Sequence, residues 1–318
     1  MFEKLNNKIY EWANTNVPWT NVYGLARSIM ALSTALTLAV NDASIFFRPG
    51  AGQTTPYCDG TYSIFCTVPN NYTYLNIIRW LCVVLLLVVA SGWRPRVTGL
   101  IHWWITYSLQ VSAMTIDGGE QVGAVFTLLL IPITLTDSRK WHWEKIGQNK
   151  SLINKKDLYY RVIALTTLCF IRIQVAILYF NSAAAKLADE DWLNGTAVYY
   201  YAQDPMLGFP SVLKNIFNGF LTSPLVVLPT WGSLIIQFFL FAFLFSPKSY
   251  RKYMFLIATF MHEIFAVMFG LISFSMIMLG ILILYLRPIE DEFNFLFKRR
   301  TKYGDGIQLK RGDAKKAI

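Results

Sequence analysis

Long apolar runs dominate this 318-residue sequence and limit what it can fold into. Hydrophobic residues make up 54% of the chain and charged residues only 15%, whereas soluble domains carry about 25% charged residues. The runs are too long and too continuous for the alternating strands of a β-barrel, the other fold that satisfies the backbone in lipid. The pattern therefore predicts an all-α polytopic membrane protein.

The apolar runs predict about eight transmembrane helices. A helix needs about 20 apolar residues to cross a hydrocarbon core of about 30 Å. The last run, Tyr253–Leu286, would be about 51 Å long as one helix, so we expect it to fold back near Gly270 and cross twice. The other predicted spans are Asn21–Val40, Leu75–Ala90, Thr98–Ile116, Val122–Leu135, Val162–Ala185 and Pro229–Phe245.

Basic residues are distributed very unequally between the two sides of these spans. With the N-terminus inside, the outer segments carry only Arg48, Lys186 and Lys214, whereas the inner connections and the tail are rich in lysine and arginine. Positive charge is retained on the cytoplasmic side, so both termini are predicted to be cytoplasmic. The net charge of +10 is explained in this way. No basic groove with stacking aromatic residues indicates a nucleic-acid partner.

Three regions follow from this pattern. Residues 1–20 place Phe2, Leu5, Ile9 and Trp12 at helical spacing, which predicts an amphipathic helix on the membrane surface and contact with membrane lipids. Residues 21–290 form the transmembrane domain, in which 203–228 predicts a further interfacial helix on the outer face. Residues 291–318 form a basic cytoplasmic tail.

The cysteines and histidines indicate a disulfide and no metal site. Cys58 and Cys66 share an outer loop, where an oxidising exterior permits a bond between them. Their spacing is too wide for a pair of zinc ligands, and the three histidines are widely dispersed. A structural disulfide and a redox-active pair both remain open.

Ionisable residues inside predicted spans are functional candidates, because they are costly in lipid. Arg172, Tyr179 and Lys186 recur every seven residues and form one stripe on the fifth span. His262 and Glu263 lie near the middle of the seventh span. We expect Arg172 and Glu263 to lie at similar depth and to form an ion pair, either functional or purely structural.

Lys186 ends the fifth span and leads into a polar segment that contains Asp189, Asp191 and Trp192. One interpretation is an interfacial anchor whose ammonium reaches out beside a tyrosine belt. The other is a partly desolvated lysine that serves as a general base. The residues alone leave both interpretations open.

Three motifs resemble the HTTM domain, the membrane domain shared with vitamin K-dependent γ-glutamyl carboxylase. They are Tyr179-Phe180 with Lys186, two acids, Trp192 and Gly195; the Asp117-Gly-Gly-Glu120 turn before the fourth span; and Met261-His262 with Phe269-Gly270. The resemblance implies that Lys186 deprotonates a reduced quinone in a pocket lined by His262. Because bacteria make menaquinone, it becomes the candidate cofactor, although the sequence itself identifies none. One extra residue between Lys186 and Trp192 departs from the pattern.

The length, the CDGTYSIFC loop and the short basic tail resemble the sporulation-delaying protein B (SdpB) family. That resemblance implies a multi-pass protein of the bacterial plasma membrane. It would act with an SdpA-like partner to mature a secreted antimicrobial peptide toxin from an SdpC-like precursor. The alternative is a non-enzymatic scaffold or export factor that presents the precursor to general proteases.

Overall fold

A computed structural model describes residues 2–50, 55–145, 155–205, 207–290 and 292–293. Within these residues the chain folds into helices and contains no extended strand, which confirms the all-α prediction. Short 3-10 helices occupy Ile64–Thr67, Pro224–Val226 and Phe243–Phe245. The α-helices are α1 Phe2–Thr15, α2 Asn21–Val40, α3 Ala43–Phe46, α4 Tyr72–Ser91, α5 Pro95–Ser112, α6 Gly118–Leu129, α7 Ile131–Thr136, α8 Lys155–Lys186, α9 Glu190–Leu193, α10 Ala197–Gln203, α11 Ser211–Leu221, α12 Val227–Ala242, α13 Lys248–Phe269 and α14 Ile272–Leu286.

Helix α14 lies at the centre of the bundle. Ten of its 15 residues are buried, and it packs against α2, α6, α8 and α13. A helix that is apolar on all sides can pack on every face without burying a polar side chain. Gly280 allows α14 and α2 to approach each other closely. A Cβ atom there would lie 2.6 Å from the Met30 side chain and 3.0 Å from the Ala26 carbonyl. The other helices therefore surround α14.

Five helical segments are long and apolar enough to cross a membrane, which supports a polytopic membrane protein. The remaining predicted spans correspond to α5, the α6–α7 pair and α14, and crossing at these positions stays a prediction. The five segments are Asn21–Val40, Tyr72–Ser91, Lys155–Lys186, Pro224–Phe245 and Lys248–Phe269.

The last apolar run and the predicted fourth span are both interrupted where the sequence contains helix-breaking residues. The turn expected near Gly270 is confirmed: α13 ends at Phe269, and Gly270 adopts a φ of +71°. The predicted fourth span is divided instead, because Pro132 has no backbone N–H to donate to a preceding carbonyl. Helix α6 consequently ends at Leu129, and α7 begins at Ile131.

Both predicted interfacial segments contain helices. Helix α1 covers most of residues 1–20 and packs on α8. Helix α11 lies within residues 203–228 and leaves Val212 and Ile216 exposed on one side. Their location at a membrane surface stays a prediction. The predicted tail, 291–318, falls outside the described residues except at 292–293.

The segment after α7 docks on the basic end of the bundle, which we define as the end that carries Lys248 and the 91–96 turn. Asp137 and Arg139 form a buried ion pair of 2.7 Å. Arg139 Nη1 also donates hydrogen bonds to the carbonyls of His142 and Glu144, at 2.7 and 2.8 Å. Because these groups satisfy one another, a polar segment can be buried there.

His142 inserts between α2 and the turn after α4. Its Nε2 lies 3.2 Å from Ser28 Oγ, and its Nδ1 lies 3.4 Å from Arg27 Nη1. A Cβ atom would lie only 2.4 Å from the His142 ring at Gly92 and 2.8 Å from it at Gly24. Two glycines therefore make room for the ring.

His102 and His142 both lie inside the folded chain. Both are buried, with 2% and 0% of their surfaces exposed. Arg27 is also fully buried and donates a 2.6 Å hydrogen bond from Nη2 to Thr98 Oγ1. It therefore bonds to another helix, α5. Apolar spacing could not reveal this, because the burial depends on a loop that is distant in sequence.

The buried His142 predicts a loss of stability in acid. Burial, followed by the charges of Arg27 and Arg139, lowers the pKa of His142 to about 2. The unfolded chain takes up a proton near pH 6.5 and the folded chain does not, so stability present above that pH is lost as the pH falls. Between pH 7 and pH 5 the wild type should lose about 2 kcal/mol more than His142→Gln.

Unfolding of both proteins in dodecyl maltoside at the two pH values measures this difference. His142→Gln keeps hydrogen-bonding atoms toward Ser28 but does not titrate. Parallel pH dependences for the wild type and the variant would contradict the assignment.

Candidate functional site

Lys186 is the last residue of α8 and lies half-buried at the end of the bundle opposite to the basic end. Its Nζ donates hydrogen bonds to Ser182 Oγ at 2.8 Å and to the Ser182 carbonyl at 3.3 Å. Nζ also lies 5.2 Å from the ring centroid of Trp192, within reach of a cation–π interaction. We call Lys186, Ser182 and Trp192 the lysine site.

The neighbouring acids do not pair with Lys186. Among the described residues, no carboxylate lies within 4 Å of its Nζ. Asp189 caps α9 instead, because its Oδ1 accepts a 2.9 Å hydrogen bond from the Asp191 N–H. Both acids are exposed. They therefore shape the turn after α8 and leave the ammonium group with a hydroxyl, a carbonyl and a ring as neighbours.

Gly195 fixes the position of Trp192. Its φ of +77° is a left-handed conformation that favours glycine. A Cβ atom there would also lie 2.3 Å from the Val227 side chain. The Trp231 Nε1–H then donates a 3.1 Å hydrogen bond to the Trp192 carbonyl. Trp192 and Gly195 thus attach the turn after α8 to α12.

An apolar groove begins beside the lysine site. It has a volume of about 330 Å³ and runs along α12. Its walls are Leu187, Trp192, Leu193, Trp231, Leu234, Ile235 and Phe238. The groove can take an apolar chain whose polar end reaches Lys186.

Tyr179 and His262 form a buried pair between α8 and α13. The Tyr179 hydroxyl and His262 Nε2 share a hydrogen bond of 3.0 Å. His262 Nδ1 has no partner among the described residues. The rings of Phe265 and Phe274 lie 6.0 and 5.5 Å from the imidazole. The pair is thus enclosed by aromatic side chains.

Acidic residues gather around the first turn of α14. Asp117 caps α6, where its Oδ1 accepts from the Gly119 N–H at 2.6 Å, and its Oδ2 accepts from Ser273 Oγ at 2.9 Å. Glu120, 3% exposed, accepts from Thr37 Oγ1 at 2.9 Å. On the other side, Glu263 accepts from Ser275 Oγ at 3.1 Å.

Phe274 connects these acids to the tyrosine–histidine pair. Its ring stacks edge-on against His262, and its Cα would lie 2.8 Å from a Cβ atom at Gly119. We call Asp117, Glu120, Tyr179, His262 and Glu263 the α14 cluster.

Arg172, Tyr179 and Lys186 all lie on α8 at the predicted spacing, but they belong to three separate regions of the structure. Successive members, seven residues apart, are about 10 Å apart along the axis. Tyr179 belongs to the α14 cluster and Lys186 to the lysine site, whereas Arg172 lines a cavity at the basic end. Lys186 and His262 consequently do not contact each other.

The expected ion pair between Arg172 and Glu263 was wrong. The ion pairs of the described residues do not include either of them. Tyr179 bonds to His262, so Glu263 is level with Tyr179 and about 10 Å along the bundle from Arg172. The sequence could not give the relative depths of Arg172 and Glu263, because α8 is longer than the apolar run from which the depth of Arg172 was measured.

The loop between α3 and α4 contains a disulfide between Cys58 and Cys66, with 5.7 Å between their Cα atoms. The loop is attached to the bundle by the Tyr57 N–H, which donates to the Ser112 carbonyl at 3.1 Å. Cys82 is buried, and Cys169 is exposed. No group of three potential ligands for a metal ion occurs in the described part of the chain.

The tyrosine–histidine pair predicts a specific pattern of stability. Tyr179→Phe removes the partner of His262 Nε2 and leaves a buried imidazole unsatisfied, which should cost about 1–3 kcal/mol. The double variant Tyr179→Phe/His262→Leu removes both polar groups and should cost less than the sum of the single variants. Thermal unfolding in detergent measures each, with the exposed Tyr200→Phe as control. Additive losses would contradict the pairing.

Comparison with known proteins gives the family. The chain is 51% identical over 301 residues to the uncharacterized protein YitO of Bacillus subtilis, covering 94% of this chain and 96% of YitO. It is 38% identical over 291 residues to the sporulation-delaying protein SdpB of the same organism, covering 91% of this chain and 88% of SdpB. No family model and no solved structure matches. The chain belongs to the SdpB family.

Proposed function

We propose that this protein takes part in producing a secreted sporulation-delaying peptide toxin. The identity of 38% to SdpB over 91% of the chain carries the proposal. In it, the protein resides in the bacterial plasma membrane with both termini in the cytoplasm. It acts with an SdpA-like partner on an SdpC-like toxin precursor. An exported precursor would then meet the end of the bundle that carries Lys186.

The positions of the basic residues support this orientation. Lys248, Arg251 and Lys252 begin α13, and Arg94 and Arg96 lie at the start of α5. All of them belong to the basic end, which the positive-inside rule assigns to the cytoplasm. The lysine site at the opposite end is then outside.

Within this role we propose that Lys186 is a general base. A general base must exist as a free amine within reach of an acidic proton. Lys186 has no carboxylate within 4 Å among the described residues. Ser182 and Trp192 hold Nζ at the half-buried end of α8. The proton would pass to Nζ from a quinol hydroxyl or from the peptide.

The groove beside Lys186 fits the quinone that the HTTM resemblance implies. Leu187, Trp231 and Phe238 are among the residues that would hold the apolar chain of a menaquinone. Bound there, the quinone would supply redox chemistry that no side chain of the site provides. Lys186 would hold the proton, and the apolar walls would exclude water.

One observation favours the scaffold alternative. Lys186 and His262 do not contact each other, although the resemblance implies one pocket for both. In a scaffold, the α14 cluster would stabilise the bundle, and exposed side chains such as Tyr200 and Leu193 would bind the precursor. Lys186 would then be an interfacial anchor, for which only its charge matters.

Substitutions at Lys186 distinguish the two functions. Lys186→Arg keeps a cation but cannot accept a proton, and Lys186→Ala removes both properties. If Lys186 is a base, both variants should lower mature toxin about 100-fold or more in producing cells. Lys214→Ala, a change of an outer lysine on α11, is the matched control. Mass spectrometry of the culture medium measures the toxin, and immunoblotting of membranes measures the protein.

The toxin output of Lys186→Arg distinguishes a general base from an interfacial anchor. Normal toxin output from this variant, with reduced output from Lys186→Ala, would favour the anchor. Normal output from both, at wild-type protein levels, would overturn any role of Lys186 in toxin production.

A further inference from the structure

A cavity of about 320 Å³ opens at the basic end, remote from the lysine site. It lies between α1, α8, the linker before α2 and the segment after α14. Its walls include apolar groups from Trp12, Leu165, Leu168 and Ile289. Arg172 belongs to its polar part. The cavity is therefore amphipathic.

Arg172 forms no hydrogen bond or ion pair with the part of the chain that the structure describes. Its Nε is buried and forms no hydrogen bond to the described residues. Ion pairs of the described chain do not include Arg172 either. The lining carboxylate of Glu290 pairs with Lys248 instead. The charge of Glu290 attracts the guanidinium across the cavity, but no carboxylate of the described residues pairs with it directly. A largely buried guanidinium without a paired anion is costly, because desolvation is not offset.

Thr20 provides a second, independent indication of a ligand. It is 4% exposed, lines the same cavity, and its Oγ1 has no hydrogen-bond partner among the described residues. Threonine before a helix usually accepts a hydrogen bond from a backbone N–H of the first turn. Thr20 precedes α2 but forms no such cap. Its hydroxyl is thus a buried, unsatisfied group in the wall of the cavity.

We propose that this cavity binds a phosphate group through Arg172 and Thr20. A guanidinium presents two parallel N–H donors that match two phosphate oxygens, and the threonine hydroxyl donates to another. Glu290 pairs with Lys248, and Glu292 lies 3.9 Å from Lys145. A lysine therefore offsets the charge of each acid, and neither acid repels a bound phosphate as an isolated negative charge. The phosphate could come from a phospholipid headgroup or from free phosphate.

Cys169 offers a direct measure of occupancy. It lines the cavity and is exposed, whereas Cys82 is buried and Cys58 and Cys66 are bonded to each other. The rate at which N-ethylmaleimide reacts with Cys169 is measured on the full-length protein in dodecyl maltoside, which contains no phosphate. Dioleoyl phosphatidylglycerol, inorganic phosphate and a phosphate-free glucosyl diacylglycerol are then added separately. Each variant is compared with itself, with and without the addition.

In the wild type, a bound phosphate ligand should slow labelling about fivefold at four times its Kd. Slowing by phosphatidylglycerol alone identifies a lipid headgroup, and slowing by inorganic phosphate as well identifies the free anion as a sufficient ligand. Arg172→Gln should abolish the protection. Arg251→Gln should retain it, because Arg251 bonds to the Ser246 carbonyl and does not line the cavity.

Two milder variants keep the test decisive if Arg172→Gln does not fold. Thr20→Val should weaken protection about tenfold in ligand concentration, as expected for the loss of one hydrogen bond. Arg172→Lys should weaken it also, because lysine lacks the paired donors. The proposal is overturned if neither phosphate ligand slows labelling in the wild type, if the glycolipid protects equally well, or if the variants are protected like the wild type.

Discussion

The burial of α14 on every side is the constraint on which the rest of this structure depends. Because α14 is apolar along most of its length, α2, α6, α8 and α13 can pack around it without burying an unpaired polar group. Apart from Tyr285 near its end, α14 carries polar side chains only in its first turn, at Ser273 and Ser275. They bond to Asp117 and Glu263, so the acidic residues gather where the central helix begins.

This arrangement separates the chemistry of the protein along α8. One long helix carries Arg172 near the basic end, Tyr179 at the α14 cluster and Lys186 at the opposite end. Because each step is about 10 Å, no small ligand bridges all three. The proposed base and the proposed phosphate site therefore lie in separate parts of the bundle, and substitutions at one should leave binding at the other unchanged.

The sequence was most informative where periodicity and helix breakers act locally. Apolar runs predicted the helices, and Gly270 predicted the final turn, because glycine tolerates a positive φ. It was least informative where distant segments meet. The burial of His142 depends on Gly24 and Gly92, which have no sequence relation to it. Thr20 was missed because a threonine before a helix normally signals a cap, and Arg172 was assigned to the wrong partner because helix ends cannot set relative depth.

The central claim is that the lysine site faces the outside and the basic end faces the cytoplasm. Single cysteines at exposed positions test it most directly: Asn194→Cys beside the lysine site and Ser249→Cys at the start of α13, both with Cys169→Ser. A membrane-impermeant maleimide is applied to intact and to permeabilised cells. The account predicts that position 194 is labelled in intact cells and position 249 only after permeabilisation. Labelling of both positions from one side, or the reverse pattern, would contradict it.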